Sequence, residues 1–130
     1  MESAQNARIV FVMAGSEEEA AKIARTLVEE RLAACANIIG PVRSIYRWRG
    51  AVEDAREYMI MVKTRGRLYP GVERRVKELH SYEVPEIVAI GLAAGSRRYV
   101  EWIFESTAAV ARRSRAARPV RGRGGRAAAS

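Results

Sequence analysis

The spacing of apolar residues switches between strand and helix type in the order strand, helix, strand, strand, helix, strand, and few folds accept that order. Ile9–Met13 is a continuous run of β-branched and large apolar residues, which suits a strand buried on both faces. Ser16 followed by Glu19 matches a capping box, so a helix starts at Glu17 and turns Ala20, Ile23, Ala24, Leu27 and Val28 to one side. Leu32–Ile39 is extended and ends at the punctuation of Gly40 and Pro41. Val42–Trp48 alternates as a strand, Glu57–Thr64 returns beside it, and the hairpin between them runs through Arg49 to Arg56. Pro70 fits the first turn of a second helix whose apolar side is Val72, Val76 and Leu79 and which delivers His80. Glu86–Leu92 reads as the last strand, and Ser96 caps a short terminal helix containing Val100, Trp102, Ile103 and Phe104. The expected fold is therefore α+β: a ferredoxin-like βαββαβ sandwich with an antiparallel sheet and an extra C-terminal helix. Two helices cover one sheet face only, so apolar residues on the other face call for a partner, most simply a second copy of the chain.

The stretch from His80 to Ile87 holds the chain's only histidine beside Tyr82, Glu83, Pro85 and Glu86. Pro85 disfavours helix at Val84, so the helix stops near His80 and the chain leaves extended. Two uses of His80 follow from that position: an imidazole at a helix C-terminus, where the dipole favours its positive form, or a ligand in a site. Cys35 lies among alanines and reads first as a buried small hydrophobe. Tyr46 and Trp48 share one strand face and form either a ligand stack or part of an oligomer core.

Charge divides the chain in two. The net charge is +8, but residues 112–130 hold seven arginines and no acid, while the remainder balances 16 basic residues against 15 acidic ones. Residues 1–107 are expected to form the domain and residues 108–130 a disordered tail rich in Arg, Ala and Gly. The folded part lacks the charge excess of a nucleic-acid reader, and a weak nucleic-acid contact is expected only through the tail, where Gly122–Arg126 resembles arginine-glycine segments. One cysteine excludes a disulfide framework and every zinc pattern that needs several thiolates. No signal peptide and no membrane span is evident, so no membrane partner is expected and the cytoplasm is the default. No nucleophile elbow, phosphate loop or metalloprotease motif occurs, and a non-catalytic protein is expected.

Arg31–Asn37, Tyr46–Gly50, Lys63-Thr64, His80–Ile87 and Tyr99–Trp102 together make residues 8 to 107 resemble the CutA divalent-ion tolerance proteins. The resemblance implies a ferredoxin-like subunit, an intertwined homotrimer whose long hairpins extend the neighbouring sheets, binding of copper or another divalent ion, and kinship with PII signalling proteins. Ser81 stands where that family usually has proline, and Met13 where some members have cysteine. Copper favours imidazole and thiolate, with carboxylates broadening the choice, which makes His80 and Glu86 the best pair and Cys35 the third candidate. With one histidine and one cysteine per chain, weak binding of Cu(II) or another divalent cation is expected, with no cofactor required. The alternative is a PII-like regulatory trimer in which Trp48, Lys63 and Tyr82 line an inter-subunit cleft for a small anionic ligand, or in which the trimer docks on a partner protein.

Overall fold

The computed structural model describes residues 3–107, and the expected disordered tail lies outside the described residues. After a short 3-10 turn come β1 (Ala7–Ala14), α1 (Glu17–Glu29), β2 (Cys35–Trp48), β3 (Ala51–Arg65), α2 (Tyr69–Leu79), β4 (Ile87–Gly91) and α3 (Arg97–Ser106). The four strands form one antiparallel sheet in the order β2-β3-β1-β4, which is the βαββαβ arrangement expected, with α3 as the additional helix.

Each helix starts where its sequence says it should. The Ser16 hydroxyl accepts the Glu19 N–H at 3.1 Å, and the Ser96 hydroxyl accepts that of Tyr99 at 3.3 Å. Pro70 sits in the first turn of α2, where its missing N–H costs nothing. The main core lies between α1, α2 and one sheet face: Val10, Val12, Ile23, Leu27, Ile60, Val62, Val72 and Val76 are fully buried there. A second cluster of Ala7, Ala34, Val100, Ile103 and Phe104 seats α3. Val28, expected on the inward side of α1, is instead 39% exposed, while Leu27 beside it is fully buried.

The hairpin departs from expectation. Gly40 and Pro41 do not end the extended segment; β2 runs through them with a cis Gly40–Pro41 peptide and a register shift between Ile39 and Val42. A Cβ at Gly40 would stand 2.3 Å from the Tyr58 ring, so glycine is what lets that ring lie against the backbone. The hairpin through Arg49 to Arg56 is paired over most of that stretch. Pairing continues to Trp48 opposite Ala51, and the turn is only Arg49 and Gly50, both at positive φ. The result is a two-stranded arm extending beyond the four-stranded sheet.

The sheet face away from α1 and α2 carries Ile9, Phe11 and Met13 of β1, the facing residues Lys63, Met61 and Met59 of β3, and Ile90 and Val88 of β4. Val88 and Ile90 are about half exposed, and Ile39 is exposed on the same face. No helix among the described residues is long and apolar enough to cross a membrane.

Candidate functional site

His80 is the C-cap of α2, its N–H donating to the Val76 carbonyl at 2.9 Å. Its side chain is fully buried and both ring nitrogens are engaged. The Tyr82 N–H donates to Nδ1 at 3.1 Å, so Nδ1 carries no proton and Nε2 donates to the Met13 carbonyl at 2.7 Å. The Tyr82 ring packs on the imidazole with centroids 4.7 Å apart. Thus His80 ties the turn after α2 to the end of β1.

Glu19 fastens the same turn from α1. One carboxylate oxygen accepts the Ser81 N–H at 2.7 Å and the other the Ser81 hydroxyl at 3.1 Å, with His80 Nδ1 at 3.6 Å. Burial pushes this carboxyl up, but the Ser81 bonds and His80 outweigh it and hold it below the ordinary value. Ser81 is therefore a donor to Glu19 through both its backbone and its side chain.

Beyond Tyr82 opens a cleft of about 450 Å³ lined by Met13, Tyr46, Trp48, Glu57, Tyr82, Glu83, Val84 and Glu86. The Tyr82 hydroxyl donates to Glu57 Oε2 at 2.8 Å. Burial, then that bond to Glu57, pushes the Tyr82 hydroxyl well above its ordinary range, so it stays a donor. A Cβ at Gly15 would come 3.0 Å from this hydroxyl, so the small residue after β1 gives the ring its place. At the rim, Arg49 bonds Glu83 at 2.6 Å and lies 4.9 Å over the Trp48 ring, which brings the arm tip back onto the turn. Three carboxylates and three aromatic rings thus face one cavity, and among the described residues its lining contains no basic side chain.

Of the expected residues, Glu86, Trp48 and Tyr82 line this cleft, while His80 stands behind Tyr82. Cys35 is half-buried rather than fully buried, with Sγ 3.7 Å from Asn37 Oδ1. It pairs opposite Lys63, four positions from the Ile39–Met59–Met13 row, or about 13 Å along the strands at ~3.3 Å per residue. Lys63 donates to Asn37 on the open sheet face and does not line the cleft. Among the described residues, no three His, Cys, Asp or Glu side chains gather closely enough to hold a metal ion, so His80, Glu86 and Cys35 are not brought together within one chain. Glu57 and Glu83 were not among the expected site residues. The signal for Glu57 was its period-two position on the face of Met59 and Met61, a carboxylate next to apolar residues in the same row.

Fold and cleft define a small α+β protein that presents carboxylates and aromatic rings in one cleft. The family model of the CutA1 divalent ion tolerance protein matches residues 8–106. The divalent-cation tolerance protein CutA of Thermus thermophilus is 50% identical over 99 residues, covering 76% of this chain and 96% of that protein. Its solved structure superimposes with a TM-score of 0.77 at 48% identity, over 78% of this chain and 99% of that one. The periplasmic divalent cation tolerance protein CutA of Archaeoglobus fulgidus follows at 0.76 and 39% identity, over 78% and 99%. The chain belongs to the CutA1 divalent ion tolerance protein family. Neither the family nor these relatives are named as enzymes.

Proposed function

We propose that the protein is a non-catalytic divalent-cation-binding protein acting in metal tolerance, and that the cleft on the open sheet face is where the cation binds. The observation that carries this is the convergence of Glu57, Glu83 and Glu86 on one cavity that no basic side chain among the described residues lines, in a chain of a divalent ion tolerance family. Glu86 lines the cleft and has no hydrogen-bond or ion-pair partner among the described residues, which makes it the first donor to an incoming ion. His80 serves as a positioning residue, because its ring nitrogens already hold Tyr82 and Met13. Oxygen donors and too few ligands in one chain point to weak binding, with Cu(II) one cation among several and Cys35 outside the set.

The working assembly is a homotrimer. Ile9, Phe11, Val88 and Ile90 form an apolar sheet face that no helix among the described residues covers, and the arm exposes Ile45 and Val52 on a two-stranded ribbon, which is marginal by itself in water. Copies of the chain cover both at once if each arm pairs with a neighbouring sheet edge. The acidic lining of the cleft weighs against a small anionic ligand there.

Calorimetric titration of the full chain with Cu(II), Zn(II) and Mg(II), combined with sedimentation equilibrium, tests this. Glu86→Gln is expected to weaken binding about tenfold, the loss of one charge-assisted contact of ~1.4 kcal/mol. A folded monomer, or cation binding indifferent to Glu86, overturns the proposal.

A further inference from the structure

We propose that the same cleft binds a small alkylammonium cation, held between its aromatic walls and its carboxylates. This rests on the cleft being the cation site put forward above, and it names a ligand class that a bare ion does not use.

Three features select that class. First, Tyr46, Trp48 and Tyr82 expose 42%, 39% and 37% of their surface in the single chain and all three contribute to the walls. A bare divalent ion gains nothing from aromatic faces and needs a closed shell of donors, whereas an ammonium group carrying methyl or methylene groups binds ring faces through their quadrupole. Second, a volume of about 450 Å³ far exceeds an ion and falls within the range of small-molecule pockets. Third, Glu57 is 5% exposed and lies in the wall with only one oxygen used: Oε2 accepts from Tyr82, while Oε1 accepts no hydrogen bond from any described residue. A buried carboxylate with a free oxygen in an aromatic cavity favours a cation that brings little hydration with it.

The rim already displays the pairing within the chain. Arg49 places its guanidinium 4.9 Å over the Trp48 ring while Glu83 accepts from it at 2.6 Å. One organic cation, supplied by the protein, is thus held by one ring and one carboxylate. With Glu83 neutralised by Arg49, Glu57 and Glu86 carry the unbalanced charge for a second cation, with Tyr46, Trp48 and Tyr82 lining the same cavity.

The test is titration of the full chain with tetramethylammonium chloride at constant ionic strength, followed by tryptophan fluorescence. tert-Butanol serves as the uncharged probe of similar shape. A saturable response at about millimolar concentration is expected for tetramethylammonium alone. Trp48→Leu and Glu57→Gln are each expected to weaken it about tenfold, the second while leaving an oxygen to accept from Tyr82. Because Glu57 is buried, Tyr46→Leu at an exposed position repeats the test if Glu57→Gln fails to fold. For the tryptophan variant, heat of binding replaces fluorescence. No saturable binding, an equal response to tert-butanol, or affinity indifferent to these variants overturns the inference. Cu(II) titration of the same samples separates the two failures: Cu(II) binding without tetramethylammonium binding overturns this inference alone, and loss of both overturns the proposed cation site as well.

Discussion

The Tyr82 hydroxyl donates to Glu57 Oε2 at 2.8 Å, joining the turn after α2 to a carboxylate of β3 that is only 5% exposed. A carboxylate so placed needs that donor, since an unpaired buried charge is costly. Tyr82→Phe removes the donor and keeps the ring on His80, and it is expected to destabilise the protein by ~1–3 kcal/mol. Urea unfolding at pH 7 checks this, with the midpoint lowered and the slope unchanged. An unchanged midpoint means the bond does not hold the turn.

Glu19 makes the same turn pH-dependent. Its carboxyl is held below the ordinary value of 4.5, burial notwithstanding, by the Ser81 bonds and His80. A group whose value is depressed by folding stabilises the fold above its unfolded value and loses that contribution as pH falls through the folded one. Glu19→Gln is therefore expected to lower stability at pH 7, and its deficit relative to the parent is expected to shrink as pH falls below 4.5. Melting temperatures of both proteins from pH 3 to pH 7 provide the check. A deficit constant across that range means the carboxylate's charge plays no part.

Residues 112–130 carry seven arginines and no acid, and this charge is expected to act through phosphates. Full-length protein should retain DNA in a low-salt gel-shift assay and release it as salt rises, because neutralising phosphates frees counterions. Removing residues 112–130 should abolish retention. Equal retention by the shortened chain would assign the contact to the folded body.

The two layers of the fold were legible because local signals and packing agree. Ser16 caps α1, Pro70 opens α2, His80 ends it, and apolar periodicity marks Val10, Val12, Ile23 and Leu27 as core. The arm was not legible. Gly40 and Pro41 look like a break, yet the Tyr58 ring fills the space a side chain would need and the strand continues. Arg49 looks like the start of a loop, yet it takes φ 51° and forms half of a two-residue turn. The site was legible in part. Its turn drew notice through His80 and Pro85, but contacts remote in sequence decide what each residue does. Glu19 reads as a capping-box carboxylate and instead binds Ser81, 62 positions away. His80 reads equally as ligand or cap, and only the Met13 carbonyl and the Tyr82 N–H, neither visible from spacing, occupy its two nitrogens.

Electron paramagnetic resonance of the Cu(II)-loaded full chain tests most directly whether the cleft carboxylates, and not the imidazole, hold the cation. His80 is the only histidine, so imidazole coupling to copper can arise from no other residue, even in an assembly of identical chains. With Glu86 and its neighbours as donors, the spectrum should be that of an oxygen-ligated copper ion, without imidazole modulation, and Glu86→Gln should diminish the bound signal. Imidazole nitrogen coupling that disappears in His80→Gln would contradict this, making His80 the ligand and its bonds to Met13 and Tyr82 ones that break when copper binds.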